Sequence, residues 1–211
     1  MTTSEYFGGW MKVLPINELF MVVNLVNRNY SHGSYTPEYK DIFRAFELCP
    51  FEKCRVVMLG QDPYPQKGVA TGILFGNRKE TKVVSPSLRV VMESVNPEGN
   101  DFDITLESWA KQGILMINSS LTCEINKVGS NFLLWKPFIS KFLVNLSAER
   151  DDIVYVMFGR QAESFISYLS QGVILSEKHP AYYARYNTRM PSRIFDEVNK
   201  HVIGEKIQWC K

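Results

Sequence analysis

No CxxC pair occurs in the 211-residue chain, and its four cysteines, Cys49, Cys54, Cys123 and Cys210, have no histidine partners nearby. That spacing argues against a zinc or iron–sulfur site, and no other metal or cofactor is expected. Scattered thiols of this kind fit a reducing, intracellular setting. Also missing is any apolar stretch near the roughly 20 residues that a bilayer requires, so no membrane partner is predicted. The first residues, MTTSEYFGGWMK, lack a basic region followed by an apolar core. No secretory signal is expected from them. Internal repeats, low-complexity tracts and linkers are absent too. One domain spanning 1–211 is therefore predicted, with a helical N-terminal part over about 1–50.

Charge of one sign is scarce overall. The net charge is only +2, so the chain as a whole is not a polycation. The distribution is less even than the sum. Between Lys178 and Arg193 the stretch KHPAYYARYNTRMPSR holds Lys178, Arg185, Arg189 and Arg193 and no acid, with Tyr182, Tyr183 and Tyr186 interleaved. Cations for phosphates and rings for bases suit a nucleic-acid surface. A solvated basic loop is the plainer alternative.

What is present is an ordinary globular balance, 45% hydrophobic and 22% charged, enough for one full core. Four short runs rich in β-branched and large apolar residues read as buried strands: Arg55–Leu59, Ile114–Ile117, Ile153–Phe158 and Val173–Leu175. Helical spacing lies between them, over Ser87–Val95 after a Ser-Pro start, Pro137–Leu146 and Arg160–Leu169. The chain up to about Phe46 reads as helical, with a Gly/Ser/Tyr loop near Asn29–Thr36. Strands alternating with helices predict an α/β fold, a three-layer α/β/α arrangement around a central four-stranded, mainly parallel sheet.

Polar residues follow each strand: Gly60-Gln61-Asp62, Asn118-Ser119-Ser120, Gly159-Arg160-Gln161 and Lys178-His179-Pro180. In an open parallel sheet these points share one edge, where ligands bind. An acid, an amide, a histidine and a glycine-led turn would then converge in one crevice. Singly, each has a plain structural reading. Asp62 before Pro63 suits a turn, Asn118 an Asx turn, His179 a hydrogen-bonded structural histidine, and Phe75 the core.

The ordered motifs GQDPYP (60–65), GILFG (72–76), SPSL (85–88), WAKQGILMINSSLT (109–122) and HPAYYA (179–184) resemble those of family-1 uracil-DNA glycosylases. The similarity extends from about Arg55 to Trp209. The resemblance implies cofactor-free hydrolysis of the N-glycosidic bond between uracil and deoxyribose in DNA, the first step of base-excision repair. It implies that Asp62 orients the attacking water and stabilises positive charge on the sugar. His179 would donate to uracil O2, Phe75 would stack on the flipped base, and Asn118 would read its polar edge. Tyr64 would block the 5-methyl of thymine, and Gln61 lies in the same wall. Ser85 and Ser87, with Gly159 and Arg160, match loops that grip DNA phosphates. Tyr182, Tyr183 and Arg185 fall in the segment that meets DNA. The implied partners are uracil-containing DNA, single- or double-stranded, and a proteinaceous inhibitor of the family. The implied state is a monomer, cytoplasmic in a bacterium and nuclear in a eukaryote or for a virus.

Two departures stand out. Pro65 occupies the place of a histidine in the family's usual GQDPYH. The HPAYYA loop puts Tyr183 where the family's HPSPLS loop has a leucine that fills the space left by the flipped base. These motivate an alternative, a catalytically weak member serving as a DNA-binding or replication-partner module. A related glycosylase with another base preference is a third reading. Retained Asp62, Asn118, Phe75 and His179 favour excision, and Tyr64 with Asn118 favours uracil.

Overall fold

The computed structural model describes residues 2–29, 31, 33–99 and 101–210. In chain order the helices are α1 (Thr3–Phe7), α2 (Ile16–Asn29), α3 (Arg44–Leu48), α4 (Pro86–Val95), α5 (Glu107–Ala110), α6 (Phe132–Glu149), α7 (Arg160–Glu163), α8 (Pro180–Tyr186) and α9 (Arg193–His201). The strands are β1 (Tyr35–Thr36), β2 (Val56–Gly60), β3 (Ile114–Asn118), β4 (Cys123–Glu124), β5 (Val154–Phe158) and β6 (Val173–Glu177). Strands β3-β2-β5-β6 form one sheet in that order, and every pairing is parallel.

Strands β2, β3 and β5 are buried at every position, while the edge strand β6, which ends in Ser176 and Glu177, is part-exposed along its length. Side chains alternate along each strand. Val57, Leu59, Leu115, Ile117, Tyr155 and Met157 therefore face one layer, with α6 and the N-terminal elements. Val56, Met58, Ile114, Met116, Val154 and Val156 face the other, with α4 and α9. This is the expected three-layer arrangement. The chain enters at the interior strand β2, passes to β3 on one side, then crosses to β5 on the other. A crevice opens at such a reversal, at the C-terminal ends of the strands.

Three expectations change in detail. Helix α6 starts five residues before Pro137, which lies inside it. Proline removes one backbone donor there, but the stripe Trp135, Phe138, Ile139, Phe142, Leu143 and Leu146 is wholly buried, and that burial outweighs one lost bond. The helix expected over Arg160–Leu169 breaks into α7 and a 3₁₀ turn at Ile166–Tyr168. The break lets Phe165 bury fully against Phe132 and Tyr168. The loop expected near Asn29–Thr36 contains β1, which pairs antiparallel with β4; Tyr30 and His32 of that loop lie outside the described residues. Among the described residues no helix is long and apolar enough to cross a membrane.

Candidate active site

Asp62 leaves β2 two residues after Gly60. A Cβ at Gly60 would lie 2.2 Å from Leu74 Cδ1 and 2.9 Å from Asn118 Oδ1, so only glycine lets the β2 end pass between them. The parallel pairing of β2 and β3 ends at Gly60 opposite Asn118, yet the contact continues. Ser119 N donates to Gly60 O at 3.1 Å and Ser120 N to Gln61 O at 3.1 Å. Gln161 Nε2 donates to Ser119 Oγ (2.7 Å), whose own hydroxyl donates to Gln61 O at 2.9 Å. On the far side Cys123 Sγ meets Pro63 O at 3.4 Å, and Asn126 N donates to Pro65 O at 2.9 Å. The segment carrying Asp62 is thus tied down along its length.

It borders a cavity of about 340 Å³ lined by Gln61, Asp62, Tyr64, Phe75, Asn118 and His179, joined by Pro65, Ser87, Leu121, Val128 and Arg185. Six residues from four separate chain segments therefore meet; the endings of β2, β3 and β6 contribute lining residues as their placement predicts, Phe75 joins them, and Gly159, Arg160 and Gln161 after β5 do not line the cavity. Both Asp62 carboxylate oxygens are buried and close no hydrogen bond within the protein. Burial pushes the Asp62 pKa up, while the nearby Gln61 side chain, Ser120 hydroxyl and Gly129 N–H oppose that rise. Asn118 Oδ1 is likewise buried and unpartnered, on a residue that lines the cavity, and a buried acceptor of this kind calls for a donor.

On the same cavity His179 caps helix α8. Its Nδ1 accepts from Ala181 N–H at 3.1 Å. A neutral imidazole accepting there carries its proton on Nε2. Burial lowers the His179 pKa to about 4, so the ring is neutral at physiological pH and is a donor without being a cation. Gly159 sets its position. Its φ is +83°, and a Cβ there would lie 2.9 Å from His179 Cβ. Phe75 packs edge-on against His179, with ring centroids 5.5 Å apart, and against Phe158 at 5.3 Å. Phe75 has φ 64°, a left-handed conformation that bulky side chains rarely adopt. Tyr64 donates its hydroxyl to Phe75 O at 3.0 Å, holding both rings on one wall.

The predicted DNA-facing residues divide. Ser87 and Arg185 line the cavity. Ser85 is buried, its hydroxyl accepting from Asn77 Nδ2 and its N–H donating to Asn77 Oδ1, both at 2.8 Å. Ser85 therefore does not cap α4 with its side chain. Arg160 and Tyr182 are exposed at the same end of the sheet. Lys178 Nζ sits 4.3 Å from the Tyr182 ring centroid. Tyr183 differs from the expectation of an outward wedge. It is 9% exposed and packs in the core, and its hydroxyl donates to Glu177 Oε1 at 2.6 Å. The helical turn that points Tyr182 outward points Tyr183 inward.

Ser119, Ser120 and Gln161, polar residues after strands, support the site, as do Asn77 and Glu177, which do not stand out in the sequence. Strand register carries the signal for Ser119 and Ser120; nothing local marks Asn77 as the partner of Ser85. Among the described residues no group of three or more His, Cys, Asp or Glu comes together as a metal site would require. The chemistry available is that of a carboxylate and a neutral N–H donor lining one pocket. That pair stabilises positive charge on one side of a breaking bond and negative charge on the other.

Residues 46–203 match the family model described as the Uracil DNA glycosylase superfamily. A Bacteroides fragilis protein named uracil-DNA glycosylase 2 is 30% identical over 187 residues, 86% of this chain and 84% of its own. A Campylobacter jejuni uracil-DNA glycosylase is 35% identical over 172 residues, 77% of this chain and 71% of its own. The crystal structure of mimivirus uracil-DNA glycosylase shares the fold, with a TM-score of 0.75 over 98% of this chain and 91% of that chain at 22% identity. The family match spans the strand ends that build the cavity, and with these relatives it establishes that this chain belongs to the uracil-DNA glycosylase superfamily.

Proposed function

We propose that the chain is a uracil-DNA glycosylase, a monofunctional enzyme that hydrolyses the bond between uracil N1 and deoxyribose C1′. The observation that carries this reading is that Asp62 and a neutral His179, from the ends of different strands, line one cavity. A base within a duplex cannot reach Asp62, so the nucleotide is rotated out at a cost of a few kcal/mol. The flipped uracil stacks on Phe75. Asn118 Oδ1 accepts from uracil N3–H and its amide donates to O4, a pattern that cytosine reverses. Tyr64, held to the Phe75 carbonyl, stands against a 5-methyl group, so thymine is excluded by collision rather than by a missing contact.

As the C1′–N1 bond breaks, the sugar becomes oxocarbenium-like and uracil departs with the bonding electrons. His179 Nε2–H donates to uracil O2, where the charge accumulates. Asp62 faces the sugar and orients a water whose oxygen bonds to C1′. Its proton passes to the carboxylate and from there to solvent, solvent returns one to the uracil anion, and the products are free uracil and an abasic site. The first-turn N–H groups of Ser87 and Leu88, uncapped by Ser85, suit a DNA phosphate at the start of the ten-residue helix α4. A proteinaceous inhibitor is proposed to cover this same face; mimivirus UNG variants have been crystallised in complex with UGI.

The test uses single- and double-stranded oligonucleotides bearing U, T, hypoxanthine or a U:G mismatch, read out by cleavage at the abasic site. Release of uracil alone is the expected result. Intact DNA binding with no uracil released from any substrate overturns the reading in favour of a binding module.

A further inference from the structure

Ser120 lies outside the cavity lining, is fully buried, and has a hydroxyl with no hydrogen-bond partner. Asp62 is its neighbour in space. Both carboxylate oxygens of Asp62 are equally buried and equally without a partner. The strand register explains the proximity. Gly60 pairs with Asn118 and Ser120 N donates to Gln61 O, so the next step outward sets Ser120 level with Asp62. A buried donor without an acceptor beside a buried acceptor without a donor is costly twice over. One rotation of the hydroxyl and a small shift of the carboxylate satisfy both.

The second observation is what surrounds the carboxylate. Pro65 lies on the same cavity and carries neither an N–H nor a polar side chain. The donors that remain around Asp62 are the Gln61 side chain, the Ser120 hydroxyl and the Gly129 N–H. The other titratable groups facing it are the Cys123 thiol, with His179, Arg185 and Tyr64 around the cavity. Cys123 is itself pushed up to about 12 by burial and by Asp62, so it stays a neutral thiol.

Resting on the reading of the cavity as a uracil-excising site, we propose that Ser120 is a positioning residue for Asp62, donating its hydroxyl to one carboxylate oxygen and so leaving the other for the attacking water. No atom of Ser120 reaches the substrate. Its contribution is to hold Asp62 ionised and aimed.

The proposal separates Ser120 from an ordinary core serine by pH. A hydrogen bond to the ionised form favours that form, so removing it raises the Asp62 pKa. In Ser120→Ala the acid limb of single-turnover excision from a single-stranded uracil oligonucleotide moves up by about one pH unit, and turnover near neutrality falls roughly tenfold or more. KM and DNA affinity hold at wild-type values, and Ser120→Thr, which keeps the hydroxyl, retains the wild-type limb. His179 titrates in the same acid range, so carbon-13 NMR of labelled aspartate carboxyls in the free protein assigns the shifted limb to Asp62. An Ala variant whose acid limb and Asp62 titration stay at the wild-type position overturns the proposal, even where its rate is lower. If the wild-type protein releases no uracil, the functional reading fails. The carboxyl titration then decides the Ser120 proposal alone, and an unmoved Asp62 overturns it.

Discussion

At the scale of residues, the site separates two charges with two groups that are each unusual for their type. Asp62 is a carboxylate pushed upward by burial, and His179 is an imidazole pushed downward. Asp62→Asn keeps the shape and removes the charge. Turnover is expected to fall by about 10²–10⁴ with DNA affinity nearly unchanged; a fluorescence-anisotropy titration beside a kinetic assay checks both. An equal fall in affinity refutes the role assigned to Asp62. For His179 the sign runs the other way. Between about 4 and 6.5 the unfolded chain binds a proton that the folded chain does not, so stability declines as pH is lowered through that window. His179→Gln should flatten that slope while cutting turnover by about 10²–10³. Urea midpoints on either side of the window measure the first effect.

The same residues show how far a sequence can be read. Asp62, Asn118 and His179 were legible because each follows an apolar run, and the parallel sheet brings those three endings to one place. Asn77 was not, because its bond to Ser85 is made by loop geometry that no spacing announces. Tyr183 was legible as an aromatic but not in its direction. One helical step, 100° of rotation, decides between solvent and core, and the end of Glu177 decides which tyrosine is held.

At the scale of elements, α8 and the start of α7 act as a pair. Gly159 ends β5 with a positive φ and accepts the close approach of His179, which begins α8. Gly159→Ala adds a Cβ 2.9 Å from His179 Cβ, in a conformation that alanine resists. The imidazole must move, and a misplacement of about 1 Å can cost 10²-fold in rate. A fall in turnover of roughly ten- to a hundredfold is expected, with the circular dichroism spectrum retained. Wild-type turnover in a folded variant would show that His179 tolerates displacement. Strands β2, β3 and β5 were predictable to within about a residue because they are buried on both faces; β6, at the sheet edge, runs two residues further, through Ser176 and Glu177, where the apolar signal has stopped. The short ribbon of β1 and β4 was not. Two residues per strand offer no alternation to read, and their pairing spans most of ninety residues of sequence.

At the scale of the whole molecule, a net charge of +2 gives little long-range pull toward DNA. Binding should instead depend on the local basic segment. Arg185 is exposed at the cavity mouth, whereas Arg189 spends part of its guanidinium on Glu93 O at 3.2 Å. Arg185→Ala is therefore expected to reduce the slope of log K against log salt by about 0.9 on duplex DNA, and Arg189→Ala by less. Affinity measured over a series of salt concentrations tests the ranking. Equal changes would place both side chains on phosphate.

The layer that covers one face of the sheet is built from α6 together with residues that precede the matched family segment. Trp10 is 1% exposed, donates Nε1–H to Cys49 O at 2.8 Å, and packs edge-on against Phe46 and Phe51. Leu19, Val22 and Val26 of α2 lie in the same core as Val57 and Leu115. The segment in which no motif was found is thus part of the wall behind the catalytic strand. A chain cut to begin at Phe46 keeps every residue of the cavity but Ile42, yet bares the apolar face of α6 that α2 covers, and is expected to aggregate on refolding where the full chain stays soluble. For this molecule the unit of recognition and the unit of folding have different borders: heredity is read from the strand ends, and autonomy depends on the helices that come before them.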